Sequence, residues 1–473
     1  MKRLLLLLSI LLIASMVLTA CPSGEEPAPA GPAEEPAEEP AAEPAEKPAE
    51  EFTYEDDWGV VVVEAGSPIQ LGFAAGLSGA GIDVLGIDEQ RGAELAVADV
   101  GEVFPGFALE LQIEDSLCSG EGGTAIANKF VADKDIVAVV GHMCSSSCIP
   151  ASDIYEASNY TMVSPSCTAV VFTARGLNAA NRVAWNDAIQ GPAAAKFIKD
   201  TLGIDRIATI HDGSPYGEGL VNEMGNAFID MGGEIVVQEA VNVGDVDMRP
   251  VLTKIKSADP QLIYFGGFVA EGAFLASQRA DIGMQDVVFM GADGIKATDF
   301  IEAAGDAAEG TYASAANPAE AGPGVPDFMA AYLAEYGEEP PAPFHLQSYD
   351  AVQVYANAIN KVGQIDPDGN LHIGRKALND AVRATKDYQG LSGNISCEAD
   401  GDCGTGTVSV AQITGGEWVD LGAPMAGEPV ADADCEYGGI IASIDAVDDL
   451  TVKFSLCRPD PAFPAKAAFA ALG

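Results

Sequence analysis

The chain has 473 residues, 48% of them hydrophobic and 20% charged, with 71 acidic against 24 basic side chains and a net charge of −47. So negative a surface repels nucleic acid and anionic lipid, and both are set aside as partners. The length leaves about 415 residues after an atypical N-terminal stretch, which suits a two-lobed body better than one small domain.

Lys2 and Arg3 precede an apolar run from Leu4 to Leu18. Its roughly 15 residues fall short of the ~20 that a membrane-spanning helix needs and suit an export signal. The run ends in Leu18-Thr19-Ala20-Cys21, which resembles the lipobox of bacterial lipoproteins. That resemblance implies a signal peptide over 1–20, diacylation of Cys21 and a membrane anchor without a spanning helix. From Glu25 to Asp57 the chain is Pro, Ala and Glu, with thirteen acidic residues against Lys47, a charge of −12. Too little apolar surface and mutual repulsion predict a disordered tether, taken with the anchor as residues 21–66.

Nine cysteines become eight if Cys21 is acylated, an even number that fits an exported protein. They cluster as Cys118, Cys144, Cys148 and Cys167, then Cys397 and Cys403, then Cys435 and Cys457. Connectivity is open at this level. Pairing within clusters would join Cys397 to Cys403 and Cys435 to Cys457.

From Ile69 the chain alternates two kinds of segment. Leu109–Ile113 alternates as a half-buried strand and Ile136–Val140 is wholly apolar; Arg206–His211, Glu234–Val237, Leu262–Phe265 and Val287–Met290 also read as strands. Helical periodicity runs over Gln90–Val100, Thr124–Ala132, Pro192–Thr201, Gly219–Asp230, Met248–Ser257 and Gly272–Ala280. Strand followed by helix at this spacing predicts an α/β fold of parallel sheets with helices on both faces, and ligands at the carboxyl ends of the strands.

Catalytic and nucleotide signatures are incomplete. Gly79-Ala80-Gly81 is followed by Val84 where a dinucleotide loop needs a third glycine, and the serine of Gly213-Ser214-Pro215-Tyr216-Gly217 is one place too early for a nucleophile elbow. His142, His211, His345 and His372 lack zinc-like spacing. Glu398, Asp400 and Asp402 begin like a calcium loop, but Cys403 replaces the turn glycine. The expectation is a binding protein, not an enzyme, with no cofactor and no metal.

Seven polar segments carry a more specific signal, among them Val140-Gly141-His142-Met143-Cys144-Ser145-Ser146-Ser147, Pro150-Ala151-Ser152-Asp153-Ile154-Tyr155-Glu156, Gln190-Gly191-Pro192-Ala193-Ala194-Ala195-Lys196 and Pro215-Tyr216-Gly217-Glu218-Gly219-Leu220. In order, from about Ile69 to Leu421, they resemble the leucine/isoleucine/valine-binding proteins of ABC importers. The resemblance implies the type I periplasmic binding-protein fold: two α/β lobes, three crossovers and a cleft that closes on its ligand. Lobe 1 is expected over 67–187 and 316–396, and lobe 2 over 188–315 and 397–424.

A free amino acid presents a carboxylate, an ammonium and a side chain. Ser145–Ser147 follow an apolar strand and precede a helix, a placement that offers hydroxyls and free N–H groups to a carboxylate. By resemblance, Ser145, Ser166 and Thr168 hold the α-carboxylate and part of the amino group, Ser166 through its backbone. Asp293 matches the acid that pairs with the ammonium, and Tyr216 a ligand-contacting tyrosine. Leu85, Phe268 and Phe344 match the side-chain pocket; no Arg or Lys is among the matched contacts, which argues against acidic ligands, and leucine, isoleucine or valine fits best. Cys118 and Cys144 match the family disulfide. Cys148 lies one helical turn past Cys144 and Cys167 in the next ligand loop, so a Cys148–Cys167 bridge is also expected.

Beyond Cys435 the strand-like Leu450–Leu456 and the flanking Arg458-Pro459-Asp460-Pro461 resemble a piece of the oligopeptide-binding proteins. Residues 425–473 therefore read as a fragment of a second module, remnant or truncated. The whole predicts an extracytoplasmic, monomeric lipoprotein that serves an ABC permease and ATPase complex, with a sensory module for amino acids or short amides as the competing reading.

Overall fold

The computed structural model describes residues 52–404 and 406–422, and the backbone of the strands Ile441–Asp448 and Thr451–Leu456. Cys21, the signal segment, the tether up to residue 51 and the Cys435–Cys457 pair lie outside the described residues. The last two strands pair antiparallel with each other, Ile441 opposite Leu456.

Ordered structure begins before the expected tether boundary at residue 66. Val60–Val63 pairs antiparallel with Leu371–Gly374, burying Val61 and Val63. Just ahead of it, the Asp56 carboxylate accepts from the N–H groups of Lys376 and Ala377, both at 2.9 Å. These are free donors of the first turn of the Arg375–Arg383 helix, which an acid stabilises from outside. The acidic composition concealed a short alternating strand, so residues 52–66 belong to the body.

Two sheets organise that body. The first runs Glu102–Phe104, Phe107–Asp115, Ile69–Ala75, Ile136–Gly141, Met162–Ser164, Ala180–Arg182, parallel except for its first strand. The second places Glu234–Ala240, Arg206–His211, Leu262–Gly266, Val288–Gly291 and Tyr312–Ala316 in parallel, and closes with antiparallel Val408–Thr414 and Glu417–Asp420. Every residue of Ile136–Gly141 and Leu262–Gly266 is buried, as strands covered on both faces must be. The chain passes between the sheets after Arg182, after Ala316 and before Val408. The last passage comes later than expected: Arg182 N–H donates to the Gly401 carbonyl at 3.0 Å and Cys403 N–H to the Arg182 carbonyl at 2.8 Å, so residues 397–404 stay with the first lobe.

Most helices begin a turn or more ahead of their apolar periodicity, while Arg249–Ser257 begins one residue inside it. Gly120–Ala132 starts behind Ser119, whose hydroxyl accepts from Gly122 N–H at 3.0 Å. Pro215–Asp230 starts behind Ser214, which accepts from Gly217 N–H at 2.9 Å, with Pro215 in the first turn where its missing N–H costs nothing. Among the described residues no helix is long and apolar enough to cross a membrane.

One close approach matters for the site. Asp83–Val100 packs along His345–Val362, and a Cβ at Gly92 would collide with the His345 carbonyl. Glycine there brings the first helix, with Leu85 and Glu89, up to Phe344.

Candidate functional site

A narrow cleft opens where the strand ends of the two sheets meet. Its walls are Leu85, Glu89, Met143, Cys144, Ser145, Ser166 and Phe344 from the first lobe, and Tyr216, Phe268, Asp293 and Gly294 from the second. The free space between them is about 20 Å³, room for little more than one water. Seven of the expected positions therefore share one cavity: Leu85, Ser145, Ser166, Tyr216, Phe268, Asp293 and Phe344. Thr168 is not in the wall; it is buried behind it, with no hydrogen-bond partner of good geometry for its hydroxyl among the described residues.

On the first-lobe side, Ser145 opens the helix Ser145–Ser158. Its two neighbours are spent locally, Ser146 Oγ donating to the Cys118 carbonyl at 2.6 Å and Ser147 Oγ to the Cys144 carbonyl at 2.9 Å. Ser145 Oγ accepts only long bonds, from Ala169 N–H at 3.4 Å and from the Cys167 thiol at 3.8 Å. That leaves a hydroxyl and the first N–H groups of a helix facing the cleft, an arrangement that favours an anion. Ser166 N–H is engaged by Ser164 Oγ at 3.3 Å and its hydroxyl donates to the Met143 carbonyl at 3.2 Å, which leaves its own carbonyl to face a donor.

The disulfides Cys118–Cys144 and Cys397–Cys403 are formed. The expected Cys148–Cys167 bridge is not: both are buried free thiols. Cys167 Sγ turns toward Ser145 Oγ at 3.8 Å, and the loop is held by other means. Arg182, fully buried, donates to the carbonyls of Cys167 at 2.8 Å and Ala169 at 3.0 Å, and pairs with Asp402 at 2.6 Å. Burial works against the guanidinium charge, and Asp402 more than offsets it. Asp402 sits inside the Cys397–Cys403 loop, so the small disulfide presents the counter-ion of the arginine that braces the binding loop.

On the second-lobe side, Asp293 opens the turn after Val288–Gly291 and is buried. Its Oδ1 accepts from Gln190 Nε2 at 2.6 Å and from the Tyr216 hydroxyl at 3.1 Å, and the same hydroxyl accepts from Gly294 N–H at 3.2 Å. Gln190 is itself fixed by Trp185 Nε1 at 2.7 Å and by the Ser314 carbonyl at 3.0 Å. Burial raises the Asp293 carboxyl to about 6, with Gln190 and Tyr216 pulling it back. Asp187 lies beneath, both oxygens without a hydrogen-bond partner among the described residues. Burial first and Asp293 second push it up to about 8, while the nearby Thr168 hydroxyl lowers it. Asp293 is thus the more acidic of the two, and a carboxylate held out of bulk water there attracts a cation strongly.

Between these poles the surface is apolar. Phe344 stacks on Trp185, ring centres 5.2 Å apart, and Phe268 tilts against Tyr216 at 5.3 Å. An anion-favouring pole, a carboxylate pole and an apolar wall suit a zwitterion with a small side chain. Sequence reasoning missed Glu89, Asp187, Gln190 and Arg182. Glu89 was marked by its helical i, i+4 spacing from Leu85, and Asp187 and Gln190 by their i, i+3 spacing on the helix that follows the first crossover.

The chain matches the family described as periplasmic binding protein over residues 68–417. It is 36% identical over 318 residues to a leucine-, isoleucine-, valine-, threonine- and alanine-binding protein of Pseudomonas aeruginosa, covering 67% of this chain and 82% of that one. It is 31% identical over 321 residues to a Leu/Ile/Val-binding protein homolog of Brucella suis, covering 67% and 83%. In structure it is similar to a leucine-binding protein from Thermotoga maritima, with a TM-score of 0.68, 26% identity and coverage of 74% and 97%. A branched-chain amino acid transporter substrate-binding protein from Streptococcus pneumoniae, in complex with isoleucine, gives a TM-score of 0.66 at 25% identity, covering 75% and 100%.

Proposed function

Because the chain belongs to the periplasmic binding protein family, we propose that it captures a small aliphatic amino acid of the leucine, isoleucine or valine kind and hands it to an ABC import permease. The observation that carries this reading is the pairing of poles across the cleft: Ser145 and the helix start on one lobe, Asp293 with Gln190 and Tyr216 on the other. The α-carboxylate docks at Ser145 and the first turn of its helix. The ammonium meets Asp293 and the Ser166 carbonyl, and the side chain lies against Leu85, Met143, Phe268 and Phe344. The names of the relatives, one of which adds threonine and alanine, support a ligand of this size. Cys21 would carry the lipid that keeps the body at the outer face of a membrane, with residues 22–51 as its leash.

Thermal-shift screening of the purified chain against the standard amino acids and short amides tests the ligand. Leucine, isoleucine and valine are expected to raise the melting temperature. Silence from all three, with a clear response to another class, would refute the assignment. Radiolabelled fatty acid incorporated into the wild type and not into Cys21→Ser tests the anchor.

A further inference from the structure

Two acids stand side by side on the buried face of the Asp83–Val100 helix, and only one is used by the fold. Asp88 accepts from Phe344 N–H at 2.9 Å and Ala342 N–H at 3.3 Å, and pairs with His345 at 3.0 Å. Glu89 is as deeply buried, yet neither of its oxygens has a hydrogen-bond partner among the described residues. Leaving a buried polar group unmet costs about 1–3 kcal/mol. Its carboxyl belongs to the cleft wall, one helical turn from Leu85 and beside Ser166.

We propose that Glu89 is a specificity-determining residue that hydrogen-bonds a hydroxyl on the ligand side chain, so that the cleft takes threonine as well as the aliphatic amino acids of its size. The inference rests on the amino-acid reading of the cleft. Burial keeps the Glu89 carboxyl well above the usual range, with Asp88 adding to the effect and Ser166 opposing it. That shift favours the protonated carboxylic acid, which has one O–H donor and free acceptor lone pairs. A hydroxyl, donor and acceptor at once, complements it without bringing in charge. Leu85 and Phe344 in the same wall offer apolar surface to a methyl beside that hydroxyl.

Threonine and valine are isosteres, and calorimetry of the full chain with each reads the effect directly. A purely apolar pocket disfavours the hydroxyl by about 100-fold. The wild type is instead expected to hold threonine within about threefold of valine. Glu89→Leu should weaken threonine at least about tenfold relative to valine, as loss of one hydrogen bond predicts. Glu89→Gln, of equal length and still able to donate and accept, should keep threonine binding. A wild type that prefers valine by about 100-fold, or a threonine-to-valine ratio unmoved in Glu89→Leu, overturns the assignment to Glu89 while leaving the aliphatic reading intact. A wild type that binds neither these nor any other amino acid removes the amino-acid reading itself, and the role of Glu89 with it.

Discussion

Replacing Asp293 by asparagine removes one charge and almost no volume, and its consequence follows from the burial of the site. Asp293 is 4% exposed and already holds two donors, Gln190 at 2.6 Å and Tyr216 at 3.1 Å, on one oxygen. An ammonium drawn out of water to this place loses its counter-charge in the variant. Breaking a buried pair from one side costs about 3–5 kcal/mol, so leucine should bind about 150- to 5,000-fold more weakly. A second signature separates charge from shape. The empty cleft holds the Asp293 carboxyl at about 6, and a cation favours the ionised form, so protons compete with the ligand. Affinity should be level above about pH 6 and fall about tenfold per pH unit below it in the wild type. Asp187, raised to about 8, stays protonated through that window and adds no slope of its own. Calorimetry with leucine at pH 7.5 and pH 5.0 measures both effects. A variant within tenfold of the wild type, or one that keeps the acid slope, would show that the ammonium does not meet Asp293.

Ser145→Ala removes a hydroxyl offered to a carboxylate, a charged hydrogen bond of about 1.5–3 kcal/mol, so leucine affinity should fall about 10- to 150-fold with little change in melting temperature. Cys118→Ala with Cys144→Ala opens a bridge spanning 26 residues, for which chain entropy predicts a loss of about 3.5 kcal/mol in denaturant unfolding. Asp187 carries a folded pKa of about 8 against an ordinary 3.8, so the folded state binds the extra proton and stability falls as pH rises between those values. Asp187→Asn should flatten that fall and make the ligand-free protein more stable than wild type above pH 8, by an amount on the order of a few kcal/mol in denaturant titrations at pH 5 and 8.5. Alkylation should label Cys148 and Cys167 only after unfolding, without reduction; a peptide pair joined through both would restore the bridge that the structure lacks.

What the sequence made legible, and what it hid, divides by range of interaction. Strand positions such as Arg206–His211 were plain because apolar runs between polar breaks report burial directly. Helix starts were placed late because their first turns are fixed by caps such as Ser119 and Ser214, which interrupt the apolar period. The Val60–Val63 strand was taken for tether because its partner, Leu371–Gly374, lies some 300 residues on. At the site, the family-matched residues converge because the loops that carry them follow strands of two parallel sheets. Their supports were invisible for the opposite reason. Arg182 and Asp402 find each other across 220 positions, and Gln190 and Asp293 across 103.

Those supports bear on how binding would close the cleft. The anion-favouring pole at Ser145 is braced on the first lobe by Arg182, and the carboxylate pole at Asp293 is built on the second. A zwitterion that engages both favours the closed arrangement by the contacts it makes only there, and can shift the equilibrium by no more than that difference. Gln190 already ties the helix after the first crossover to Asp293 in this structure, so part of the second pole is arranged before any ligand arrives. Ordering is then needed mainly across the gap between Ser145 and Asp293. On this view, substitutions at Gln190 should weaken ligands that carry an ammonium more than analogues that lack one, because its amide positions the carboxylate that the ammonium meets.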